Sequence, residues 1–136
     1  VRPDPPTPTE AADQNALFDW LAVTYVTHHT MGRICLRDYA FAVPNGAFLA
    51  GDVATRARQM SHLKRAGVTP GVPDLMLALP TGKYHGLFIE MKRFNAGRTT
   101  PEQLGWINRL SSCGYRAVVA HGLDAAVKHI RAYCAA

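Results

Sequence analysis

The hydrophobic period along the chain changes several times, and each change marks a predicted element. Leu17, Phe18, Leu21 and Tyr25 recur at helical spacing and predict an amphipathic helix over residues 9–28. Thr7 is placed to cap it, with Pro8 as its first helical residue and Glu10 as the capping-box partner. Four prolines among residues 1–8 predict an extended tail before it. Arg37 to Val43 reads as a strand, ended by the turn-forming Pro44-Asn45-Gly46. A second helix, near residues 53–66, carries Val53, Met60 and Leu63 on one side and Arg58, His62 and Arg65 on the other. Leu75 to Leu79 reads as a short buried strand, residues 81–86 as a hairpin loop and Leu87 to Arg93 as the return strand. Thr100, Pro101 and Gln103 open a third helix that Gly114 stops, followed by a strand from Tyr115 to Ala120. Asp124 caps a last helix whose apolar face is Val127, Ile130 and Cys134. The order α-β-α-β-β-α-β-α implies an α/β fold, a mixed β-sheet flanked by α-helices. It forms a single domain over residues 9–136 behind a tail of residues 1–8.

A chain of 136 residues is enough for one core. Its 48% hydrophobic and 18% charged residues are a globular balance rather than a disordered one. The net charge of +5 adds a preference for a polyanion, either nucleic acid or an anionic membrane surface. No apolar run reaches the length of a membrane span and no signal-peptide pattern is present, which favours nucleic acid. Cys35, Cys113 and Cys134 are far apart, odd in number and without a C-x-x-C pair. They suggest reduced, mostly buried thiols in an intracellular, cytoplasmic protein rather than a zinc site or a disulfide framework.

The return strand supplies the candidate chemistry. Leu87, Ile89 and Met91 face one side of it, and Phe88, Glu90 and Lys92 the other. A carboxylate and an ammonium therefore project from a strand apolar enough to be buried, where charge is costly unless it is paired or bound to a metal. With the hairpin centred near Lys83 and Tyr84, Asp74 falls beside Lys92 and Arg93, about two residues from Glu90. Two such carboxylates suit a hard cation such as magnesium, and an adjacent lysine can orient or deprotonate an attacking water or stabilise developing charge. A salt bridge at a strand end is the plain rival, and Glu-x-Lys by itself does not displace it. Arg58, His62 and Arg65 on one helix face, with Lys83, Arg93 and Arg98 around the site, are candidates for phosphate contacts. His28-His29, adjacent on the predicted helix, point about 100° apart and cannot chelate one ion, so they read as surface residues.

Gly67-Val68-Thr69-Pro70-Gly71-Val72-Pro73-Asp74-Leu75, then Gly86-Leu87-Phe88-Ile89-Glu90-Met91-Lys92 and Thr100-Pro101-Glu102-Gln103, stand in an order that narrows this further. The series resembles the PD-(D/E)xK nuclease superfamily, and within it the VRR-NUC (virus-type replication-repair nuclease) family of standalone phage and bacterial type. The resemblance runs from about Glu10 to Ile130. It implies a restriction-endonuclease-like core and a metal-dependent deoxyribonuclease using Mg2+, with Mn2+ able to substitute. Asp74 and Glu90 match the family's metal-binding carboxylates, the main-chain carbonyl of Met91 a further ligand, and Lys92 the catalytic lysine. Gln103 matches a site-organising glutamine, and Glu10 and Gln14 the acidic and amide residues of the first helix. Both Glu10 and Gln103 also have a capping-box explanation. The implied partner is branched DNA, a four-way junction foremost, cut by a homodimer. Restriction-type or flap and single-strand cleavage on the same core, or a DNA-binding module without catalysis, are the rival readings. The segment from Ala47 to Asp52 departs from the family pattern.

Overall fold

The computed structural model describes residues 2–44 and 49–136, so the expected turn at Asn45-Gly46 and the start of the atypical segment after it lie outside the described residues. The elements are α1 (Glu10–Ala22), β1 (Tyr25–His28), β2 (Gly32–Cys35), a 3-10 turn (Leu36–Tyr39), β3 (Ala40–Ala42), α2 (Val53–Arg65), β4 (Leu75–Leu77), β5 (Leu87–Lys92), α3 (Pro101–Ser112), β6 (Arg116–His121) and α4 (Leu123–Cys134). A mixed sheet of order β3-β4-β5-β6 is the centre, antiparallel except for the parallel pair β5–β6. Helix α3 supplies the crossover that a parallel pair requires.

One face of the sheet carries the core. Ala40, Leu75, Leu77, Leu87, Ile89, Met91, Val118 and Ala120 share it by register, and all are buried. Leu17 and Leu21 of α1 and Ala126 and Ile130 of α4 close over them. Burying an aliphatic side chain of this size is worth roughly 1.5–3 kcal/mol, so this single face provides most of the hydrophobic stabilisation. The opposite face holds Phe88, Glu90 and Lys92, and α3 lies on that side.

Several expectations need correction. The first helix ends at Ala22, not His28, and its cap is Thr9, whose side chain accepts from Ala12 N at 3.1 Å. Thr24 Oγ1 donates to Trp20 O and helps to end the helix. The next residues form a separate hairpin, β1–β2, with Tyr25 paired to Cys35 and His28 to Gly32. His28 is buried, its Nε2 2.7 Å from Pro80 O, so it is a packing residue rather than a surface one. Only Ala40–Ala42 of the expected strand 37–43 is extended. Gly122 rather than Asp124 occupies the N-cap of α4. The three cysteines are free, but none is buried: Cys35 and Cys134 are half-buried and Cys113 is exposed.

The loop before β4 is fixed by backbone geometry. Gly71 has φ +89°, and a Cβ there would lie 2.6 Å from the backbone carbon of Glu102 in the first turn of α3. Only glycine lets the loop approach that closely. Gly67 also has positive φ, +105°, but faces open space. Gly67→Ala should therefore cost about 1–2 kcal/mol from backbone strain alone. Gly71→Ala should cost distinctly more, because the loop must also move off α3. Denaturant midpoints of the two variants check this, and equal losses would contradict the packing account.

Candidate active site

β5 places Glu90 and Lys92 on its non-core face, with residue exposures of only 4% and 7%. β4 brings Asp74 to them. Leu77 pairs with Leu87 and Leu75 with Ile89, which centres the hairpin on Gly82 and, one residue on, sets Asp74 opposite Glu90. The register expected from a turn at Lys83-Tyr84 is thus displaced, and Asp74 falls nearer to Glu90 than expected. Asp74 Oδ2 accepts a 2.7 Å hydrogen bond from Met91 N, which ties its side chain to the β5 backbone.

Four neighbours act on Glu90. Gln103 Nε2 donates to Glu90 Oε1 at 2.7 Å, and Lys92 Nζ lies 3.6 Å from the same oxygen. Glu90 Oε2 is buried without a hydrogen-bond partner among the described residues. Burial, then the Asp74 carboxylate, push the Glu90 pKa up to about 7; Lys92 opposes them and Glu10 adds to the rise. Glu10 is placed near this cluster, since a Cβ at Gly97 would lie 3.7 Å from Glu10 Oε1 and 3.3 Å from Lys92 Cδ. A site role and a capping role were rivals for Gln103, yet its side chain caps α3 and bonds Glu90 at once. Its Oε1 accepts from Thr100 N at 2.9 Å and its backbone N donates to Thr100 Oγ1, while Nε2 holds Glu90. Glu10, in contrast, is the first residue of α1 and closes no capping box with Thr7.

The structure brings Glu10, Asp74, Glu90, Lys92 and Gln103 to one sheet end. Arg93 and Arg98, both exposed, follow Lys92 in the loop to α3. Arg93 donates to Thr7 O at 2.8 Å. Lys83 is not among them; it sits in the hairpin turn, at the other end of β5. Arg58, His62 and Arg65 are exposed on α2, a helix with no buried residue. Asp13 escaped the sequence reading. It is buried, with Oδ2 unpartnered among the described residues, and its i, i+4, i+8 spacing with Leu17 and Leu21 was the available signal.

A buried carboxylate with an orphaned oxygen, facing a second carboxylate and flanked by a lysine, fits a hard divalent cation. No group of three His, Cys, Asp or Glu side chains could hold a metal among the described residues. Asp74 and Glu90, with a main-chain carbonyl and water, are what the chain offers.

Fold and site together define a mixed α/β core with its charged groups at one end of an inner hairpin. The VRR-NUC domain family matches residues 47–124. A solved structure of a VRR_NUC domain protein is 32% identical to the chain and superposes with a TM-score of 0.72, covering 93% of this chain and 88% of that one. Among curated proteins, none matches. The chain belongs to the VRR-NUC family, a family of nucleases.

The raised pKa has a consequence for stability. The folded value of about 7 lies above the ordinary 4.5, so the native state binds more protons between those pH values. In the absence of divalent metal, stability should fall as pH rises from about 4.5 through 7 and then level off as far as this group is concerned. Glu90→Gln should remove that decline. Thermal melts in chelator across pH 4–9 check it, and identical pH profiles for the two proteins would refute the assignment.

Proposed function

We propose that the protein is a magnesium-dependent, structure-directed DNA endonuclease that cuts four-way junctions as a homodimer, with manganese able to substitute. The observation that carries the nuclease chemistry is Glu90, buried opposite Asp74 with one oxygen unpartnered and the other shared by Lys92 and Gln103. Asp74 and Glu90 would hold the cation, with the carbonyl of Met91. Bound there, the ion supplies Lewis acidity toward a phosphoryl oxygen and acidifies water. Lys92 orients the attacking water and offsets negative charge that grows on the phosphoryl group. Gln103 fixes the rotamer of Glu90, and Glu10 adds negative charge near Lys92. Arg93 and Arg98 beside the site, and Arg58, His62 and Arg65 on α2, are positioned for phosphates along the backbone. The net charge of +5 favours such a partner, and no helix among the described residues is long and apolar enough to cross a membrane.

Asp74→Ala, Glu90→Ala and Lys92→Ala should each lower kcat by about 10²–10⁴ while leaving the fold intact. Gln103→Ala should cost only about 10–100-fold, because it supports a ligand rather than being one. Single-turnover cleavage of a labelled junction with magnesium, manganese, calcium or chelator measures this. Calcium should bind without comparable turnover, and undiminished cutting in chelator would sink the mechanism.

A single Asp74–Glu90–Lys92 site cuts one strand at a time, whereas a two-fold dimer presents two in the symmetry of a four-way junction. Val53 is exposed and Met60 and Leu63 are half-buried, so α2 carries apolar surface that the described residues leave partly open. Light scattering at micromolar protein should give a dimer, and mapping should show paired, symmetric nicks. A strict monomer that cuts only flaps would leave the chemistry standing and end the resolvase reading.

A further inference from the structure

A pocket of about 470 Å³ lies at the same sheet end as Lys92 and is not used by the chemistry above. Its walls include Pro5 and Pro6 of the tail, Phe94 and Leu123, and two carboxylates, Asp13 and Asp124. Phe94 leaves β5 two residues beyond Lys92 and is 68% exposed. It rests on the start of α4, where Gly122 has φ +90° and a Cβ would come within 3.3 Å of Phe94 Cβ. Gly122 N also donates to Lys92 O at 2.9 Å, so pocket and catalytic strand share a main-chain junction. Arg93, bonded to Thr7 O, ties the tail to the residue next to Phe94.

The chemistry of the lining selects its occupant. Asp13 is 6% exposed, and its Oδ2 is buried with no donor among the described residues. An acceptor in that state is costly until something supplies an N–H or O–H. Asp13 lines the pocket, so a donor held there reaches its carboxyl group. A phosphate would meet two carboxylates and be repelled, and an aliphatic group would leave Asp13 unsatisfied. A flat aromatic ring with N–H groups on its edge satisfies both the apolar walls and the acid. Arg93 and Arg98 at the adjoining loop can take the phosphates on either side of it.

We propose that this pocket receives an unpaired nucleobase from the strand held at the Asp74–Glu90 site, stacked on Phe94 with its N–H edge turned to Asp13. The proposal rests on the nuclease reading, not on the choice of a four-way junction, and adds to it how a base left unpaired at a branch point is held. Guanine, whose N1–H and N2–H lie side by side, matches a carboxylate best.

The test is binding of the full chain, without divalent metal, to a splayed-arm DNA and to a fully paired duplex of the same length. Phe94→Ala should weaken splayed-arm binding by about 5- to 100-fold, the range that base–aromatic stacking commands, and duplex binding by less than about twofold. Phe94→Trp should restore affinity, and Asp13→Asn should erase a preference for guanine over thymine at one unpaired position. Circular dichroism confirms that each variant is folded. Equal effects of Phe94→Ala on both DNAs, or none, overturn the pocket while wild-type binding keeps the nuclease reading alive. Wild-type protein that binds neither DNA ends both. Displacement of the DNA by a lysine-rich peptide that depends on Asp13 would assign the pocket to a protein partner instead, and overturn the proposal.

Discussion

Everything at the charged end of this molecule follows from keeping a carboxylate and an ammonium inside a sheet. Glu90 and Lys92 lie on β5 where it pairs with β6, and both are buried on its non-core face. Desolvation of this kind is tolerated only when partners are fixed in advance. Lys92 and Gln103 are those partners for one oxygen of Glu90, and the other oxygen has none among the described residues. The protein thus carries an incompletely satisfied carboxylate in the middle of its charged cluster.

The two faces of β5 divide the work. Leu87, Ile89 and Met91 anchor the strand in a core closed by α1 and α4, and that packing fixes where the alternate residues point. A shift of one residue in register would exchange the faces and bury the apolar set against α3 instead. Stability on one side therefore sets the accuracy of the charge cluster on the other. Gly71 does the same for Asp74, because the loop that delivers it is pressed against the first turn of α3.

The strand alternation at residues 87–92 and the cap at Thr100 could be read from the sequence because each is a local pattern with one dominant physical cause. The helix near residues 53–65 and the stop at Gly114 were legible for the same reason. What failed was context. Tyr25 continues a helical stripe, but Val23, Thr24, Val26 and Thr27 are β-branched, and pairing with residues 32–35 outweighed the stripe. The hairpin centre at Gly82 is set by which apolar residues meet across β4 and β5, not by the turn residues alone, so Asp74 came nearer to Glu90 than the sequence suggested. Lys83 fell at the far end for the same reason. Asp13 was overlooked because an acid heading an apolar stripe reads as a solvated first-turn residue until its burial is seen.

The double duty of Gln103 couples two events that are separate in most proteins. The amide oxygen that caps α3 and the amide nitrogen that holds Glu90 belong to one rigid plane, so the first turn of the helix cannot fray while the carboxylate keeps its donor. Helix ends open with free energies far below that of global unfolding. The lifetime of the assembled site is then bounded by the fraying of one helical turn, and the molecule can stand folded yet be momentarily out of register with its own chemistry.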